Sequence, residues 1–155
     1  MLVNHYKEQI HLLYLIHLRI STYLKIYTDN NCAFNVNSVN EQVEKINISV
    51  VRFQYLYHIT YNEDIHHKLN NYFIAGFASS VQLQVIKKEV AEFRSIAETI
   101  LKKMHKAPEF KFCISNLIVL YAELISILIL KEMNLKNNLK VVYKKSKARK
   151  PMLAL

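Results

Sequence analysis

FCISNLIVLYAELISILIL, residues 112–130, carries one charged side chain, Glu123, in nineteen positions. Its length approaches the roughly 20 apolar residues of a membrane span, and Lys131 opens a positive flank of the kind found at a cytoplasmic end. Ser115, Asn116, Glu123 and Ser126 stand within it, however, and a carboxyl at the bilayer centre is costly unless it is paired. A helix surrounded by others in a bundle is apolar all round without that cost. The sequence therefore favours a buried helix here, with a membrane-associated subunit as the competing reading.

The surrounding chain supports the bundle. Gly76 is the only glycine, and Pro108 and Pro151 are the only prolines, so the residues that make the tight turns of β-rich folds are missing. Upstream, Leu83, Ile86, Val90, Phe93, Ala97, Ile100 and Met104 keep a heptad rhythm, which predicts a helix packed on another at a shallow crossing angle. Pro108 and Glu109 suit the first turn of the next helix, the proline because its missing N–H is not needed there, the acid because that end is positive.

Nearer the start, Tyr6, Ile10, Leu13, His17, Ile20, Leu24 and Tyr27 alternate steps of four and three. Leu12, Leu15, Ile16 and Leu18 make other faces of this segment apolar too. TDNN ends it, and CAFNVN reads as an irregular connection. SVNE, Ser38–Glu41, has the form of a capping box and opens a helix predicted over about 39–61, with Val39, Val43, Ile46, Val50, Phe53 and Tyr57 inward. After Asn62–Asp64 a shorter stripe, Ile65, Leu69, Tyr72, Phe73 and Phe77, predicts one more helix, with Gly76, Ser79 and Ser80 as a kink or break. The fold class is all-α, a four- to five-helix bundle with a basic C-terminal tail.

The net charge of +9 is concentrated. Residues 1–130 hold thirteen Lys or Arg against eleven acids; residues 131–155 hold eight against one. This divides the chain into a helical bundle domain, 1–135, and a basic extension, 136–155, partly ordered at best before it meets a partner. Lys136, Lys140, Lys144, Lys147 and Lys150 recur at steps of four and three, joined by Lys145 and Arg149. A polycation beside a phosphate backbone releases counterions and binds without sequence preference, and Tyr143 offers a ring on which an unpaired base can stack. These eight residues are the candidate nucleic-acid site, with RNA the first partner to consider. A solvated terminus and attraction to anionic lipid heads are the competing explanations.

Other chemistry is thinly represented. Arg52 and His58 in RFQYLYH have a spacing that resembles the R-x4-6-H signature of HEPN-type ribonucleases, which are small helical bundles. The resemblance implies an Arg that stabilises charge on the scissile phosphate and a His that acts as acid or base, converging across a dimer. No two of the seven histidines stand three or four apart on one helix, so His58, His66 and His67 do not form a metal pair, and no metal or cofactor is expected. Cys32 and Cys113 lack a CxxC neighbour and read as free thiols, which places the chain in the cytoplasm or another reducing compartment such as an organelle matrix. His11, His17 and Arg19 interrupt the first apolar run, which argues against a cleaved secretory signal. One glycine leaves no phosphate-cradling loop, and there is no G-x-S-x-G elbow.

The expectation is a non-catalytic helical accessory or structural subunit. Its apolar helix faces would pack on protein partners or on further copies of the chain, and its C-terminus would touch nucleic acid.

Overall fold

The structure, a computed structural model, describes residues 6–57 and 81–153, with side chains placed except at 7, 32, 57 and 146–153. It is an all-α bundle, and among the described residues there are four α-helices and no strand. They are α1 (Lys7–Asn30), α2 (Asn37–Tyr57), α3 (Leu83–Lys103) and α4 (Pro108–Leu153), with a short 3-10 turn at Cys32–Phe34. The predicted helix over Ile65–Phe77, the break at Gly76, and His58, His66 and His67 lie outside the described residues.

Each apolar stripe becomes a buried seam, because a helix is stabilised mainly by the face it removes from water. On α1 the stripe Tyr6, Ile10, Leu13, His17, Ile20, Leu24 and Tyr27 is buried throughout. On α3 Leu83, Ile86, Phe93, Ala97, Ile100 and Met104 are buried, and Val90 packs against them half-exposed. On α2 Val39, Ile46, Val50 and Phe53 point inward.

Side-chain contacts fix the helix directions. Arg19 on α1 meets Glu89 and Glu92 on α3. The hairpin from α3 to α4 brings Phe93 onto Tyr121 at 5.0 Å between centroids. Phe53 stacks on Phe110 at 5.7 Å, and Gln42 reaches the carbonyl of Leu120 at 2.9 Å, so α2 runs antiparallel to α4. The helices are thus ordered α1, α3, α4, α2 around the core, with α2 and α3 pointing the same way. Between α1 and α2 lies a groove of about 220 Å³ lined by Ile20, Leu24, Val39, Val43, Tyr121 and Leu124. Gln54 Nε2 spans this side by donating to the Tyr14 hydroxyl at 2.8 Å.

Three local expectations change. First, α2 begins at Asn37, one turn position ahead of the Ser38 capping box: the Val36 carbonyl accepts from the amides of Val39 and Asn40, both at 3.1 Å. Asn40 Nδ2 donates back to Asn35 Oδ1 at 3.2 Å, so two asparagines close the helix start. Second, the heptad of α3 assigned no role to the acids of that helix, yet Glu89 is only 15 % exposed and sits beside Arg19; Arg94 and Glu98 form an exposed i,i+4 pair at 2.9 Å. Third, α4 is buried along one face and not all round. Phe110, Cys113, Ile114, Leu117, Tyr121, Leu124 and Leu128 enter the core, whereas Phe112, Val119 and Leu130 remain exposed. α4 is also the one helix among the described residues long and apolar enough to cross a membrane, by length and composition, over Pro108–Lys145.

Pro108 starts α4 as its first residue, with the Ala107 carbonyl accepting from the Lys111 amide at 3.2 Å. Ala107 takes φ of 62°, a left-handed value that a Cβ disfavours.

Candidate nucleic-acid interface

α4 is 46 residues long, about 69 Å at 1.5 Å per residue, roughly twice the length of the helices it packs on. Leu128 is its last fully buried residue, and from Met133 to Lys145 every side chain is exposed. The helix continues through position 136 without a break and runs to Leu153, so the basic segment leaves the bundle as an α-helical arm. Apart from Pro151, the segment after Pro108 contains neither proline nor glycine, which leaves nothing to interrupt the helix earlier.

Lys136, Lys140 and Lys144 follow at four-residue steps along one side of this arm, since four residues turn the helix by about 400°. Lys145 lies on the opposite side from Lys136, and Tyr143 is 66 % exposed. The backbone of Lys147, Arg149 and Lys150 belongs to the same helix, but their side chains are outside the described set. Lys136 Nζ meets Glu132 Oε1 at 3.3 Å, so one of the candidate cations is partly neutralised. Lys140, Lys144 and Lys145 are exposed, and among the described residues no acid pairs with them.

Glu132 was not among the residues singled out from sequence, and it anchors the root of the arm. Burial, and after it the Glu132 charge and hydrogen bond, push the Tyr27 phenol up to about 12, so Tyr27 stays a neutral donor facing that carboxylate. Around this contact a groove of about 670 Å³ opens between α4 and the upper ends of α1 and α3, with Phe34, Leu83, Leu135, Lys136 and Leu139 on its walls. Only the i,i+4 spacing of Glu132 and Lys136 was visible in sequence; its reach to Tyr27 depends on α1 and α4 running alongside one another.

The arm also has an apolar side. Leu135, Leu139 and Val142 extend the line of Leu124 and Leu128 beyond the bundle and are exposed. The arrangement can bring several ammonium groups to a line of phosphates.

Arg52 lies exposed on α2, and His58 lies outside the described residues. Cys113 is buried, donates to the Ser49 carbonyl at 3.4 Å, and has its thiol pushed up by burial, which makes it an inert core residue. No three His, Cys, Asp or Glu side chains converge on a metal-sized site among the described residues. Comparison with protein-family models, curated proteins and solved structures finds no match.

Proposed function

We propose that the protein is a non-catalytic helical accessory or structural subunit. In this reading the arm of α4 contacts nucleic acid, RNA in the first instance, through Lys136, Lys140, Lys144 and Lys145, continued by Lys147, Arg149 and Lys150, with Tyr143 as a stacking ring. The observation that carries it is the projection of a continuous helix whose exposed lysines at 140, 144 and 145 have no acidic partner among the described residues. Cations held on a helix are spaced in advance, so less chain entropy is lost on binding than for a flexible tail. The apolar helix faces are read as contacts with protein partners or further copies of the chain.

Binding of single-stranded and duplex RNA and DNA to the full chain, followed as salt is raised, tests the reading. Affinity should fall steeply with salt and drop when the lysines between 140 and 150 are changed to glutamine. Salt-independent binding, or none, removes it. Partition into the detergent phase in place of the aqueous one would favour α4 as a membrane contact.

A further inference from the structure

The outward side of α4 is exposed and yet almost uncharged. Phe112, Ser115, Val119, Ala122, Ser126 and Leu130 follow one another at steps of three and four along that side, and Met133 continues the line. Exposure reaches 71 % at Phe112, 52 % at Val119, 59 % at Leu130 and 55 % at Met133. On α3, by contrast, the exposed side carries Lys87, Lys88, Arg94, Glu98 and Lys102. The stripe on α4 has no lysine or arginine. Glu123 stands at its edge, where Gln42 of α2 donates to its Oε2 at 3.2 Å and draws it aside. Ser126 turns its hydroxyl onto the carbonyl of Ala122 at 3.1 Å, so it brings no unpaired donor to the surface.

We infer that a second copy of this chain covers the stripe, with the two α4 helices packed antiparallel about a two-fold axis beside Ala122. An isologous interface requires a surface that complements itself when reversed, and this one does. Reversing the stripe about a point between Ala122 and Glu123 places Phe112 opposite Met133, Ser115 opposite Leu130, and Val119 opposite Ser126, while the two Ala122 residues meet within about one residue rise, roughly 1.5 Å, of each other. Leu130 and Val119 each face a small residue, and the close approach at the centre falls where the side chains are smallest. Phe112 with Met133 adds a favourable sulfur–aromatic contact at each end.

Charge selects the same orientation. Antiparallel packing sends the two basic arms out at opposite ends, their roots about 25 Å apart by helix rise and well beyond a Debye length of about 8–10 Å. Parallel packing would lay the lysines of one arm beside those of the other. Lipid is a poorer occupant, because the carboxyl of Glu123 borders the stripe with a neutral amide as its partner, and acyl chains offer its charge nothing. The inference rests on the reading of the apolar faces as protein contacts and is independent of nucleic-acid binding. It also gives the assembly two outward-pointing cationic arms.

The stripe is narrow, so micromolar affinity is expected, and sedimentation equilibrium of the full chain from roughly 1 to 100 µM covers that range. The expected result is a monomer–dimer equilibrium that Ala122→Arg weakens by about 100-fold or more, with unchanged helical circular dichroism. A cross-link supplies an independent reading should that variant fold poorly. In a Cys32→Ser background, Ser115→Cys and Leu130→Cys chains mixed under mild oxidation should form the mixed disulfide between positions 115 and 130. Disulfides between like positions only would overturn the antiparallel register while leaving the face as an interface. A chain that stays monomeric at 100 µM overturns the second copy as occupant. A monomer that enters the detergent phase overturns the protein-contact reading itself.

Discussion

His17 on α1 and Tyr121 on α4 share a hydrogen bond in the middle of the bundle, between the imidazole Nδ1 and the phenol oxygen. The two residues are 104 positions apart and both are buried. Burial holds the His17 imidazole neutral, with its pKa lowered from 6.5 to about 4, and the Tyr121 phenol is pushed up by the same cause. The contact ties the first helix to the last at the level where Phe93 also meets Tyr121.

The pH dependence of stability follows from His17. Its folded pKa lies below its unfolded value, so the unfolded chain binds the extra proton between the two. Stability is fully present above pH 6.5 and is lost as pH falls toward 4, the loss from this group approaching about 3 kcal/mol. Urea unfolding at pH 7 and pH 4.5 should show a smaller drop for His17→Gln than for the parent chain, since glutamine keeps a polar partner for Tyr121 but does not titrate.

Arg19, between Glu89 at 3.1 Å and Glu92 at 3.6 Å, clasps α1 to α3. Burial raises the Glu89 pKa and Arg19 opposes that shift, so the guanidinium is what makes a charged Glu89 tolerable there. Arg19→Met should therefore cost about 2 kcal/mol at neutral pH, and Glu89→Gln less than about 1 kcal/mol. In the double variant the loss should be smaller than the sum, which chemical denaturation of the four proteins measures.

Ala107 is held at φ of 62° immediately before Pro108. Glycine has no Cβ to oppose that conformation, so Ala107→Gly should stabilise the protein by about 1 kcal/mol. Thermal unfolding should register this as a rise in Tm of about 2–4 °C.

The cations of the arm are not equivalent. Lys136 is paired with Glu132, while Lys140 and Lys144 have no acid beside them among the described residues. If the arm binds nucleic acid, Lys140→Gln and Lys144→Gln should each flatten the log–log salt dependence by about 0.9 for duplex and 0.7 for single strands. Lys136→Gln should do less, and Glu132→Gln should strengthen binding. Titrations at several salt concentrations give the slopes.

The seams were legible from residue spacing. Heptad and four-three patterns on 6–27, 39–53 and 83–104 predicted most of the side chains that enter the core, with Val43 and Val90 only partly buried, because a helix turns by a fixed angle per residue whatever it packs on. The start of α2 was less legible. Ser38 reads as the cap by composition, but the helix start fell to Val36 and the turn at Asn35, whose geometry depends on the chain arriving from α1. The position of Glu89 against Arg19 could not be read, since the order of helices around a core is not written in the periodicity of any one of them.

The stretch 112–130 separates the two kinds of information. Its composition determined that residues 112–130 form an apolar helix and that the charge follows it, because hydropathy and helical period are local properties. Only the tertiary structure decided that the helix is covered on one face and bare on the other, and that it outruns the bundle as a basic arm. Burial is a relation between elements: α2 and α3 reach only as far as their own 21 residues each, and whatever part of α4 exceeds that length or faces away from them stays in contact with its surroundings.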